Sequence, residues 1–257
     1  FMSLLIAGVL FVTVMVSFTI AGIIGFGGNL MSTPILSFFM PVKDFIPAFA
    51  VISFCNSFYQ YLTYRRLIIW PKLIRICLVA MAGAIIGLWA YNNLPEVKLK
   101  IVLGLFVAAM AIYNLSKSDG GVLAEGEDDP NLFIKIFYWL ILFCGGIIQG
   151  AFICGGPLFV IYYARYYGYN RKVYLGMQWT MVFINAWIIL GNNIYHGAYN
   201  TPKALMLSAA GVAGLLGAIY WQRKLAGKLT DKSLFKIVNL VLILCAILIL
   251  YQAYSKM

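Results

Sequence analysis

Apolar residues fill this chain in long uninterrupted blocks, and charged positions gather between the blocks. Blocks at 2–24, 46–64, 71–91, 97–115, 132–154, 173–195, 204–221 and 234–254 lie near the roughly 20 residues that cross a bilayer as a helix. Leu30 to Met40 and Leu158 to Tyr167 are only about half that length, too short to cross. Each short block follows a long one across a glycine-rich junction. The first reads Ala21-Gly-Ile-Ile-Gly-Phe-Gly-Gly-Asn-Leu-Met-Ser-Thr-Pro34 and the second Gly150-Ala-Phe-Ile-Cys-Gly-Gly-Pro-Leu158. The pattern predicts an all-α polytopic membrane protein with a helix that breaks at each diglycine.

The order of blocks repeats: long, short, then three long. Pro41 and Pro47 bracket an expected turn carrying Lys43 and Asp44, and Arg171-Lys172 stands at the matching place later. Gly27-Gly28 aligns with Gly155-Gly156, and Lys100-Ile-Val102 with Lys236-Ile-Val238, in the same order. This implies an internal duplication. A first membrane repeat spans 1–118 and a second 131–257, joined by a linker at 119–130 that holds Gly120, Gly121, Glu125, Glu127, Asp128 and Asp129. Each half is expected to hold a glycine-broken hairpin of one long and one short helix, followed by three transmembrane helices.

Charge placement orients the halves. In the first, Arg65, Arg66, Lys72 and Arg75 lie between the third and fourth blocks. In the second, that place is nearly neutral (His196, Asn200, Lys203), while Arg165, Arg171 and Lys172 precede the third block and Arg223, Lys224, Lys228 and Lys232 follow the fourth. If positive loops are cytoplasmic, matching loops lie on opposite faces, as in an inverted repeat. Two versions keep this parity: each long-short pair re-enters on one face, or it crosses twice. The first suits the short blocks better and brings the two diglycines together in mid-bilayer. Phe1 is no initiator, so the native N-terminus is expected upstream; the first block lacks a basic start and is not read as a signal peptide.

Composition agrees with the setting. Of 257 residues 63% are hydrophobic and 11% charged, with a mean hydropathy of +0.91, far from a globular domain. A formal charge of +11 raises nucleic acid as a partner, but the cations sit at block ends, where topology and anion attraction account for them. Nucleic acid is therefore set aside, and the lipid bilayer is the surrounding partner. The five cysteines all fall within apolar blocks, as free thiols and not a disulfide framework. No cofactor and no metal is expected.

A glycine break exposes backbone. Without a Cβ, Gly27, Gly28, Gly155 and Gly156 let amides approach a ligand, and the N-terminus of the following helix adds partial positive charge. Asn29, Ser32 and Thr33 add neutral donors at the first break, whereas Pro157 donates nothing at the second. Tight helix packing is the competing reading for one Gly-Gly pair; two pairs in matched positions favour binding. Ser53, Asn56, Ser57 and Gln60 share one helix face, as do Gln178 and Asn185, and Gln149 precedes the second break. Singly, such residues form interhelical hydrogen bonds; together they line a path for an oxyanion. Cys154 beside the second diglycine joins the candidate substrate-binding set, although a buried Cys is usually a small hydrophobe.

All eight acids and the one histidine fall in or beside loops, so no carboxylate is placed for proton coupling within the membrane. A Na⁺ site of backbone carbonyls stays open; facilitated or potential-driven anion movement is favoured. An interior-negative potential drives anion export by about 2.3 kcal/mol per charge per 100 mV.

The residues Ala21 to Leu36, their weaker echo at Gly150 to Leu158, and the two-half layout resemble the TauE/SafE sulfite exporter family, also called the toluene sulfonate uptake permeases. Each half of that family carries a glycine triplet, an apolar stretch and a proline. Here Asn29 and Pro157 replace the third glycine; Pro34 keeps the proline, and Tyr162 stands at the second position. The resemblance implies a multi-pass cell-membrane transporter of sulfite, sulfonates or similar organic anions; a monomer or a homodimer is expected. An enzyme is not expected, since one histidine and no buried carboxylate leave nothing for catalysis. An anion channel is the alternative, because it uses the same breaks.

Overall fold

In the computed structural model of the chain, the residues described are 2–24, 27–116, 132–167, 170–225 and the isolated positions 243, 247 and 251. Among them are nine α-helices, one 3-10 turn and no strand. The helices are α1 (Met2–Ile24), α2 (Gly28–Phe39), α3 (Val42–Tyr64), α4 (Trp70–Asn93), α5 (Glu96–Ser116), α6 (Leu132–Phe152), α7 (Gly156–Tyr167), α8 (Arg171–Tyr195) and α9 (Pro202–Leu225). The chain is all-helical, and four described helices are long and apolar enough to cross a membrane: α4, α6, α8 and α9. The linker at 119–130, Lys236 and the last expected block lie outside the described residues.

One boundary differs from the sequence reading. Instead of a turn bracketed by Pro41 and Pro47, α3 begins at Val42 and takes in Lys43, Asp44 and Pro47. The cause is distant in the chain: the Glu96 carboxylate accepts from the Val42 amide at 2.6 Å, supplying an acceptor at the N-terminus of the helix. Asp44 in the first turn adds a favourable charge there.

Two compact units are present. The first comprises 1–52, 93–121 and 197–257, and the second 53–92 and 122–196. Each draws on both sequence halves.

In the first unit α1 lies along α9, and α2 packs on α1 and α5. The α1–α9 contact needs small residues. A Cβ on Gly214 would meet the Phe11 carbonyl oxygen at 2.6 Å, and one on Gly217 would meet Met15 at 3.2 Å. Leu10, Val14, Phe45, Phe49, Ile52, Leu103 and Leu207 fill the core. Lys100 is 6% exposed, and its ammonium donates to the Ser37 carbonyl at 2.9 Å. That carbonyl lies at the C-terminal, electronegative end of α2, so the buried cation ties α5 to the short helix. Tyr199 donates its hydroxyl to the Pro47 carbonyl, and burial pushes its phenol up to about 12. Lys203 pairs with Asp44 at 2.6 Å.

In the second unit α4 crosses α6 backbone to backbone. Cβ atoms on Gly83 and Gly87 would strike the carbonyls of Phe143 and Ile147, and Cβ atoms on Gly146 and Gly150 would strike those of Ala80 and Ala84. Small residues four apart on both helices permit this approach, as they do between membrane helices generally. α6 and α7 form a hairpin, and α7 packs on α8. Leu73, Ile76, Leu142, Phe159, Tyr163, Met177 and Met181 make the core beneath. Large apolar side chains point outward along these helices, among them Leu78, Ile85, Trp89 and Leu140, a surface suited to lipid.

Candidate functional site

The two helix interruptions differ in what they ask of glycine. α1 ends at Ile24 and α2 begins at Gly28, with Gly25 and Phe26 outside the described residues. Gly27 caps α2 at φ 100°, ψ 0°. This is the left-handed region, where a side chain costs about 1–2 kcal/mol. Nothing stands within 4 Å of a Cβ built there, so the demand is conformational alone. Gly28 is a packing glycine, its Cβ position 3.0 Å from the Phe18 ring.

The first α-helical bond of α2 is Met31 N–H to the Gly27 carbonyl. The amides of Gly28, Asn29 and Leu30 precede it, and Gly27 brings no side chain to cap them. Ser32 turns its hydroxyl back to the Gly28 carbonyl at 2.8 Å. Thr33 is fully buried, and its hydroxyl has no partner among the described residues. Asn29 is half-buried. Pro34 lacks an N–H, so it cannot supply the helical donor for the Leu30 carbonyl.

At the second interruption α6 ends at Phe152 and α7 begins at Gly156. Ile153 turns the corner at φ 58°, a left-handed conformation unusual for a β-branched residue. Gln149 organises the corner from both of its carbonyls. Its backbone oxygen accepts from the Ile153 amide at 2.9 Å, and its side-chain oxygen from the Gly155 amide at 3.0 Å. Gly155 is required by space: a Cβ would run into the Gly145 carbonyl and come 2.8 Å from Gln149 Cβ. Gly156 faces open space. Cys154 is buried at 2% exposure. With the Gly155 amide taken and Pro157 donating nothing, Gly156 N–H is the amide left at the start of α7.

The polar faces expected on α3 and α8 are buried. Ser53, Asn56, Ser57 and Gln60 are all buried, but Ser57 spends its hydroxyl on the Ser53 carbonyl at 2.6 Å. On α8, Gln178 is 1% exposed and Asn185 0%. The Gln178 side-chain oxygen and both amide atoms of Asn185 lack any partner among the described residues. α3 lies along α8 through rings, with Phe54 and Phe58 against Phe183 and Phe54 against Trp187.

The structure thus groups Gly27, Gly28, Asn29, Ser32 and Thr33 within the first unit. Ser53, Asn56, Ser57, Gln60, Gln149, Cys154, Gly155, Gly156, Gln178 and Asn185 fall within the second. Sequence reasoning missed Asn192, whose side-chain nitrogen is buried without a partner among the described residues while its oxygen accepts from Asn92 at 3.0 Å. Its place seven residues beyond Asn185 was the available signal.

Chemically, this set is neutral. No acid lies among the described residues of the second unit, and the groups present are hydroxyls, carboxamides and helix-start amides. Such groups stabilise negative charge without a fixed counter-charge. Among the described residues no cluster of His, Cys, Asp or Glu is arranged to hold a metal ion.

A family model described as sulfite exporter TauE/SafE matches residues 9–249 of the chain. No curated protein and no solved structure matches it.

Proposed function

We propose, from the premise that the chain belongs to the TauE/SafE sulfite exporter family, that it carries sulfite, organosulfonates or related small organic anions across the cell membrane. The family is one of membrane transporters, so the chain is a transport protein and not an enzyme. The finer reading assigns the anion to the glycine breaks and the buried carboxamides.

One observation carries it. Polar atoms of Thr33, Gln178 and Asn185 are buried without partners among the described residues, a state that costs about 1–3 kcal/mol per group and is seldom kept without use. Within the candidate set the residues divide by how occupied they are. Ser32, Ser57 and Gln149 have hydrogen bonds to their own backbone neighbourhood and shape the breaks. Thr33, Gln178, Asn185 and the amides of Gly28 and Gly156 have capacity for a ligand. The duplication 1–118 and 131–257, read as an inverted repeat with the linker cytoplasmic, is supported by the placement of Arg and Lys.

The test is flux. The full chain in proteoliposomes is expected to take up sulfite or a sulfonate in preference to simple carboxylates, with saturation and counterflow. Large unitary currents without counterflow would mark an anion channel instead. Absence of flux for every anion in that panel would remove the reading.

A further inference from the structure

α8 is the most deeply enclosed of the four candidate spans. Of its apolar window 61% is buried, against 44%, 22% and 39% for α4, α6 and α9. A helix so enclosed is expected to satisfy its polar side chains internally, and off one line it does. Thr180 donates to the Gly176 carbonyl at 2.7 Å, and Asn193 to the Ile189 carbonyl at 2.8 Å. Gln178, Asn185 and Asn192 behave differently. Each keeps at least one buried carboxamide atom without a partner among the described residues.

These three residues are seven apart, so they fall in one row along the helix. At 1.5 Å per residue they stand about 10 Å from one another, and α8 as a whole is about 37 Å long, more than the hydrocarbon core. The row begins about two turns inside the Arg171-Lys172 start of α8 and ends where Asn192 meets Asn92 at the far end of α4. Its middle member, Asn185, has neither its donor nor its acceptor engaged by any described residue. A group of that kind complements a solute that accepts at one atom and donates at another: a small oxyanion carrying one proton or a bound water.

We infer that Gln178, Asn185 and Asn192 form the track along which the anion crosses the membrane beside α8, with Asn192 as its far station. This deepens the proposed anion transport and rests on it. In the conformation described the three carboxamide groups are covered, so passage requires the packing around them to open. The row is neutral throughout, which lets an anion leave each station as readily as it arrives.

The experiment compares Asn185→Leu and Asn192→Leu with the unaltered full chain, by radiolabelled sulfite uptake in proteoliposomes and by thermal unfolding. Each variant is expected to lose about tenfold or more of its turnover, the loss expected for one hydrogen bond to a charged solute. Asn185→Leu is also expected to unfold at an unchanged or higher temperature, because an unpaired amide has been replaced by an apolar group, whereas Asn192→Leu gives up the bond from Asn92 and is expected to unfold at a lower one. Turnover retained in both variants would overturn the track and leave anion transport standing. A fall in the unfolding temperature of Asn185→Leu together with its turnover would overturn it too, since that amide would then be structural. If the unaltered chain moves no anion of the panel, the proposed function fails on its own, and the track is read by labelling. With the five native cysteines replaced, Asn185→Cys and Asn192→Cys are expected to react with a negatively charged thiosulfonate in the membrane, and the buried control Ala186→Cys to stay silent. Equal silence at all three would overturn it.

Discussion

At the scale of single residues, the two diglycines look alike in sequence and are held for unlike reasons. Gly27 is needed for a left-handed φ with empty space around it; Gly155 is needed because the Gly145 carbonyl is in the way. Gly156 makes neither demand, and its contrast with Gly27 is measurable. Gly27→Ala is expected to cost about 1–2 kcal/mol, whereas Gly156→Ala, in open space with no positive φ, stays within about 0.5 kcal/mol; thermal unfolding in detergent reads both. The polar candidates were legible as a set because apolar blocks make every serine or carboxamide within them conspicuous. Which of them were open was not legible. Ser32 and Ser57 bond back to their own helices, a local choice that spacing cannot reveal, and Gln149 proved to brace the corner at Ile153.

At the scale of elements, block length gave the helices well, since burial in a bilayer forces every apolar run of sufficient length into helical hydrogen bonding. Ends were less legible. The start of α3 depends on Glu96, a partner 54 residues away that no local pattern announces. The α4–α6 crossing was also hidden, because Gly83, Gly87, Gly146 and Gly150 read as separate small residues until the backbones meet. Gly146→Val is expected to destabilise by about 3 kcal/mol or more, because the new side chain meets backbone and not a yielding side chain. Gly191→Val on α8, where the space is open, is the control, and detergent melting curves separate the two.

At the scale of the whole molecule, the duplication suggested by sequence and the division in space are different partitions. Residues 53–92 and 122–196 make one compact unit and the remainder the other, because helices distant in the chain pack together and leave no trace of the pairing in composition. Charge is arranged on the same scale. Within the second unit Arg65, Arg66, Lys72, Arg165, Arg171 and Lys172 gather where the 3-10 turn, α7 and α8 meet, and Lys72 sits over the Tyr167 ring. By the positive-inside rule that end is expected to face the cytoplasm. Asn200→Cys, in the turn after α8, is expected to react with an impermeant maleimide added to intact cells; reaction only after permeabilisation would reverse the orientation.

The α1–α9 contact sets a schedule for biogenesis. About 180 residues separate the end of the first helix from the start of its companion, which at roughly 5–20 residues per second means about 10–40 s of synthesis. During that interval α1 must reside among lipids or an insertion chaperone, its glycine-facing groove partner not yet made. A ribosome stalled before Pro202 would therefore hold a nascent chain whose first unit is still unclosed.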